Sequence, residues 1–425
     1  MQAACSPSSS NKPRTIDSGV GKGLSGLHLT SEVRSDNSDM ELKDDFPLTK
    51  NRIWFNTAAT GACPSSTITT IEEYMADVLS RLRGEGGSVM PSEKWMEKRL
   101  NSKRLFAKII GATEGEVAFV PNASIGVNTA FGMVPLEKGD NVVTTDLCFP
   151  MGAVVVNKQR ERGAEPRFVK NEGGTVDASG FEKAVDDRTK VVYVDQATWF
   201  NGFLHDLKAI SEIAHDHGAY LIVDATQSTG NIVWDAKGWG VDFLAASTYK
   251  WMMGGPYQLR AGFLFIDGEH IDGLSAPYAG AQTLEPERST FNQEDGFDLY
   301  DYEPREGIER IEVFPHSMNS YVAVENSLKV LLDHGLDRIE AHVKGIGTRL
   351  IDGLLEEGYE LQTPVEEDRR IYVNFKVPGF KEVEKKLADS GVSVSPRVGG
   401  LRLSPHFYNN EGEVDVFLEK LKEAT

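Results

Sequence analysis

Two residues in this chain are placed to do chemistry. The run "AYLIVDATQSTG" ends four apolar residues in Asp224. A carboxylate at the end of a buried strand is costly unless a positive partner meets it. A protonated pyridine nitrogen is one such partner, and the pairing keeps the ring cationic and able to withdraw electrons from a carbanion. Capping of the next turn is the plain alternative for the same residue. Twenty-six positions later, the run "VDFLAASTYKWMMGGP" passes through Ser247, Thr248 and Tyr249 to Lys250. A lysine after a strand is usually solvated, but this spacing suits one strand–helix–strand unit and sets both groups on the same sheet edge. An amine there is suited to capturing a carbonyl as a Schiff base. Ser247 and Tyr249 offer hydroxyls to phosphate oxygens, and the glycine pair lets backbone pass close to a ligand.

These groups need a rigid edge behind them. The runs "EVAFVPN", "NVVTTD", "PRFVKN", "KVVYVDQ", "AYLIVDAT" and "VDFLAAS" read as buried strands. Between them lie helical patterns such as "SEKWMEKRLNSKRLFAKIIG" and "LKAISEIAHDHG", the second with Leu207, Ile210, Ile213 and Ala214 on one stripe. Alternation of this kind predicts a mostly parallel sheet covered on both faces, with ligands at the carboxyl ends of its strands. Residues 1–45 show no apolar period and are expected to form a disordered or loosely docked arm. Residues 46–310 read as a large α/β domain. Residues 311–425 read as a smaller α+β domain, opened by one long helical segment over 320–358 and closed by a final helix.

The chain has 425 residues, 40% of them hydrophobic and 26% charged, with a formal charge of −19. That size predicts two packed domains. That charge argues against a nucleic-acid partner, whose phosphates need clustered Lys and Arg. Three cysteines, Cys5, Cys63 and Cys148, show no paired spacing, so neither a disulfide framework nor a metal site is expected. A reducing, cytoplasmic location fits best. No apolar run approaches the roughly 18 residues of a membrane span. The start lacks the apolar stretch of a secretory signal, although its Ser-rich, acid-poor composition leaves a transit peptide as the minor alternative.

The stretch from "YVDQATWFNGFLHDLKAI" through "STYKWMMGG" resembles the core of the class V aminotransferase family, which are fold type I enzymes dependent on pyridoxal 5'-phosphate (PLP). The resemblance covers roughly residues 50–425. It implies a fold type I PLP-dependent transferase, with a large domain on a mostly parallel sheet and a smaller C-terminal α+β domain. It implies a homodimer, and Lys250 and Asp224 in the roles above. By the same resemblance, Asn122, Ala123 and Ser124 form the phosphate cup, where amides at a helix start form an anion site. Phe149 stacks on the cofactor ring, and Gln227 donates to its phenolic oxygen. Arg402, in "LRLSPHFYN", binds the substrate α-carboxylate with a planar fork. Arg397 is a second choice for that task, and Asn56 and Ala58 in "FNTAATG" line the substrate side. Plainer readings stand beside each: a helix cap, a core Phe, a surface Gln, an Arg paired with a Glu. Three departures stand out. Tyr249 stands before the lysine where the family usually has His, Gln or Arg, although kynureninases carry the same pair. Trp199 takes the place where the family often has Asn, and the family's cross-subunit phosphate loop is absent, with "EVFPHS" (His316, Ser317) near its place.

Family members include cysteine desulfurases, kynureninases, epimerase-like proteins and C–S lyases. A desulfurase that carries persulfide needs a cysteine on a C-terminal loop, and no cysteine follows Cys148. The compact C-terminus instead resembles the epimerase and C–S lyase branch, and that resemblance implies β-elimination from a cysteine conjugate as the favoured reaction. Transamination of a small amino acid, kynureninase-like hydrolysis and epimerisation remain open. A non-catalytic binding protein is disfavoured by the intact residue set. A nucleotide-binding enzyme lacks its glycine-rich fingerprint.

Overall fold

The computed structural model describes residues 44–85, 88–256, 259–285, 304–313 and 317–425. The arm expected over residues 1–45 lies almost wholly outside the described residues, as does His316.

Seven strands form the main sheet: β2 (Val117–Val120), β3 (Asn141–Thr145), β4 (Glu165–Val169), β5 (Thr189–Asp195), β6 (Tyr220–Asp224), β7 (Phe243–Ser247) and β8 (Gly262–Ile266), in the order β2-β8-β7-β6-β5-β3-β4. The strands from β7 to β4 pair in parallel, and β8 runs antiparallel to both of its neighbours. The expected α/β architecture is thus present, with β8 as a strand the sequence reading did not name. Alternation along each strand feeds two cores. Leu221 and Val223 pack on one face and Ile222 on the other. On the first face, Phe106 of α2 (Glu93–Ile110) stacks on Phe263 of β8 with ring centroids 4.3 Å apart. Each fully buried ring of this kind contributes ~1.5–3 kcal/mol.

Helix α3 (Ala123–Met133) crosses behind β7 and β8 with its N-terminus at the carboxyl edge of the sheet. The crossover from β6 to β7 departs from expectation: turns, not a helix, fill it. Its residues, "ATQSTGNIVWDAKGWG", carry no helical stripe, and Asp235 turns its carboxylate onto its own loop, accepting from Gly238 N at 2.9 Å.

The expected single helical segment over 320–358 is two helices, α7 (Met318–His334) and α8 (Leu336–Glu356). Gly335 breaks it at φ 85°, a left-handed angle that favours glycine. Helix α7 packs on α1 (Ser65–Leu82) and α2, where Glu325 accepts from Lys98 at 3.0 Å and from Asn101 at 2.7 Å.

A small antiparallel sheet, β11-β12-β9, is built from β9 (Val373–Lys376), β11 (Ser395–Arg397) and β12 (Gly400–Leu403). Its own core gathers Phe55, Leu350, Phe375, Leu401 and Phe417. Two-residue strands β1 (Ile53–Trp54) and β10 (Val392–Ser393) pair in parallel, so the chain's first described strand is tied to its C-terminal part. No helix among the described residues is long and apolar enough to cross a membrane.

Candidate active site

Strands β5, β6 and β7 end at one edge, in Asp195, Asp224 and Ser247. Register sets Asp195 directly beside Asp224. Both carboxylates are buried. Asp224 accepts from Thr226 N at 2.9 Å. Asp195 accepts from Phe149 N at 2.5 Å and from the Tyr193 hydroxyl at 3.0 Å. Burial raises both carboxyls above the usual range, and Asp195 is raised further by the neighbouring Asp224. The pair has no cation bonded to it among the described residues, so a positive group at this edge is strongly favoured.

Lys250 is the cation whose charge acts on both carboxylates. Its amine is buried and held down to about 8, first by desolvation and next by the Arg402 charge. It lies 5.8 Å from the Phe149 ring centroid and 5.7 Å from that of Tyr249. The loop opposite touches its backbone. Gly61 N donates to Tyr249 O at 2.9 Å. A side chain on Gly61 would place its Cβ 2.0 Å from Lys250 O.

One cavity brings together Ala123, Ser124, Phe149, Asp224, Gln227, Ser247, Tyr249 and Lys250. Ser247 Oγ accepts from Ala123 N at 2.9 Å, which fixes the first turn of α3 against β7. Asn122 does not line the cavity; its side chain caps α3 by accepting from Ile125 N at 3.0 Å. Phe149 is 37% exposed and opens on the cavity, unlike a core aromatic. Gln227 is buried rather than on a surface: Nε2 donates to Ala58 O at 3.1 Å and Oε1 accepts from Trp251 Nε1 at 3.0 Å. Its amide keeps a second N–H for another acceptor.

A contiguous mouth shares Phe149, Trp199, Gln227, Tyr249 and Lys250 with that cavity and adds Ala58, Arg397 and Arg402. Arg402 is 2% exposed. Its Nη1 donates to Trp199 O, while Nε and Nη2 have no partner among the described residues. Desolvation holds this guanidinium down to about 10. No acidic residue pairs with it among the described residues. Asn56, expected to line the substrate side, is a lining residue of neither cavity; it accepts from Ser395 Oγ at 2.5 Å and bridges to Ser404. Ser317, the described residue of "EVFPHS" at the loop position, bonds Asn319 and lines neither cavity.

The sequence reading missed Asp195, Met151 and Thr226, all of which line the cavity. Asp195 ends "KVVYVD" just as Asp224 ends "YLIVD", so the signal was present twice. Trp199, read as a departure, both anchors Arg402 and meets Phe149 edge-on at 5.9 Å.

The model of the family described as aminotransferase class V matches residues 53–417 of this chain. An uncharacterized aminotransferase of Bacillus subtilis (strain 168), YcbU, is 30% identical over 331 residues, covering 78% of this chain and 85% of the relative. A probable cysteine desulfurase of Pyrococcus abyssi (strain GE5 / Orsay) is 28% identical, covering 90% of this chain and 96% of the relative. Among solved structures, the apo cysteine desulfurase of Thermococcus onnurineus NA1 superposes with a TM-score of 0.80 at 26% identity, over 90% of this chain and 97% of that one.

Proposed function

Because the chain belongs to the aminotransferase class V family, we propose that it binds PLP at the Asp224–Lys250 edge and acts on an amino acid, with C–S bond elimination from a cysteine conjugate as its reaction. The donor set fits that cofactor. Asp224 is an uncompensated buried carboxylate for the ring nitrogen, Lys250 an amine for the aldehyde, and the start of α3 with Ser124 an anion cradle. Phe149 and Gln227 complete the ring's surroundings. Bound there, PLP supplies an aldehyde that takes amines and a ring that withdraws electrons.

The rest of the chemistry belongs to the chain. Lys250, with its lowered amine, is matched to hold the proton removed from the substrate α-carbon near neutral pH. Trp199 and Phe149 meet edge-on and line the mouth together. Arg402 carries the amino-acid reading: a buried guanidinium that lines the mouth, with two nitrogens unsatisfied among the described residues, asks for an anion, and a carboxylate fits its fork. Arg402→Ala should weaken amino-acid binding by about 1.5 to 3.5 decades, since stripping one side of a buried pair costs roughly 2–5 kcal/mol. Titration of the cofactor's visible band with an amino acid reads this directly. Unchanged affinity removes the amino-acid reading.

Direct elimination, rather than sulfur transfer through a protein persulfide, is supported by the cysteines. None follows Cys148, and burial pushes the thiols of Cys63 and Cys148 up to about 12, so neither is a nucleophile at neutral pH. Release of pyruvate and a sulfur product from cysteine conjugates tests the reaction. A keto acid retaining the full side chain would point to transamination instead.

A two-fold homodimer is part of the proposal. Helix α1 exposes Ile68, Met75, Leu79 and Leu82 along one stripe, and Ile125, Phe149 and Val154 are further exposed apolar residues, Phe149 lining the cavity itself. Apolar stripes of this kind mark interaction surfaces. Light scattering at micromolar concentration should give twice the chain mass. A fully active monomer contradicts it.

A further inference from the structure

We propose that Arg397, at the tip of the β11–β12 hairpin, binds a second acidic group on the substrate, so that the enzyme selects amino acids whose side chain carries its own anion. This rests on the reading of Arg402 as the α-carboxylate site.

The hairpin register pairs Ser395 with Arg402 and Arg397 with Gly400. Alternation along strands then sets Arg397 and Arg402 on one face as diagonal neighbours. Gly400, directly opposite Arg397 on that face, carries no side chain; a Cβ there would come within 2.2 Å of Phe375 O. Both arginines line the mouth that leads to Lys250. Arg397 makes one side-chain hydrogen bond, from Nη1 to the neighbouring Pro396 O at 2.7 Å, and no acidic residue among the described residues pairs with either guanidinium. Three cationic groups therefore share one opening in a chain of net charge −19. Their mutual repulsion shows in the electrostatics: Arg397 lowers both Arg402 and Lys250. A single carboxylate answers only one of them.

The turn itself is costly to hold. Val398 and Gly399 occupy its two central positions at φ 47° and 77°. Such turns favour Asn-Gly, and a β-branched residue in the left-handed region is a genuine outlier. The surroundings pin it: Gln362 Nε2 donates to Val398 O at 3.1 Å and Asn374 Nδ2 to Arg397 O at 3.4 Å. Val398 is 53% exposed and lines the same mouth. Strain kept at a ligand-facing position is a mark of function. Here it fixes the direction in which Arg397 leaves the backbone.

The test uses the PLP-loaded enzyme and calorimetry with acids that lack an amino group. Propionate reports one carboxylate site, and succinate and glutarate report two. The parent should bind the better of the two dianions about ten- to hundredfold more tightly than propionate. Arg397→Gln should reduce the dianion to the propionate level and leave propionate within about twofold. Arg397→Lys, which keeps charge without the fork, should retain part of the gain. Arg402→Gln should weaken mono- and dianions alike. Equal binding of propionate and both dianions by the parent overturns the proposal, and so does an equal loss for both classes in Arg397→Gln. If Arg402→Gln changes neither class, the α-carboxylate reading itself is wrong, a result distinct from the first two. Thermal melts establish that each variant folds as the parent does.

Discussion

Lys250→Ala is expected to abolish turnover and leave PLP held only by reversible contacts. Borohydride reduction of the parent, followed by peptide mapping, should place the pyridoxyl group on Lys250, and the variant should lose its label entirely. Removal of both the covalent anchor and the proton acceptor should slow the reaction by at least about 10⁴-fold, the upper range for one acid–base group. The same residue makes a pH prediction. Only the neutral amine attacks an aldehyde, and burial sets this amine's pKa at about 8 instead of 10.5. At pH 7 roughly one amine in ten is then neutral, against about three in ten thousand for an ordinary lysine. Capture of added PLP by the cofactor-free protein should therefore accelerate with pH up to about 8 and level off beyond it. A rate that keeps climbing toward pH 10 would show an unperturbed amine, and label on another lysine would remove Lys250 from the site.

Much of this arrangement was legible because buried parallel strands announce themselves as short apolar runs. All six runs read as strands form the consecutive strands β2 to β7, and two of their ends carry Asp224 and Ser247. What could not be read was registration. The sequence holds Asp195 and Asp224 at equivalent strand ends, but only the pairing of β5 with β6 makes them neighbours. The partners of Gln227 and Arg402 are likewise set by distant segments: Ala58 O for one and Trp199 O for the other. Local signals also competed. Gly335 sits inside an otherwise continuous helical pattern, and its left-handed φ decides for two helices. Asn122 was grouped with Ala123 and Ser124 as part of one cup, whereas its short polar side chain turns back to cap α3. Strand β8 escaped notice because it follows a glycine-rich loop and runs antiparallel, outside the alternating pattern that identified the others.

The adjacency of two carboxylates gives the second large effect. Asp224→Asn keeps the shape of the side chain and an acceptor for Thr226 N. It removes the charge that favours a protonated ring nitrogen. Charge-stabilising groups of this kind are worth about 10²–10³ in rate each, roughly 2.7–4 kcal/mol. Exchange of the substrate α-proton with deuterated solvent, followed by NMR, isolates the affected step from later ones. It should slow by at least that factor, while PLP stays bound through Lys250. Asp195→Asn is the decisive comparison. An asparagine oxygen at that position still accepts from Phe149 N, whose bond to Asp195 places the aromatic at the start of α4 (Pro150–Lys158). Loss of the Asp195 charge also removes a like-charge neighbour from Asp224, which eases ionisation of Asp224. Asp195→Asn should therefore cost less than about tenfold in α-proton exchange. The large asymmetry between the two variants identifies which strand end faces the ring. If Asp195→Asn is the more damaging, the ring nitrogen is held from β5 and not from β6. Equal losses would mean that the pair acts as one shared, singly ionised site.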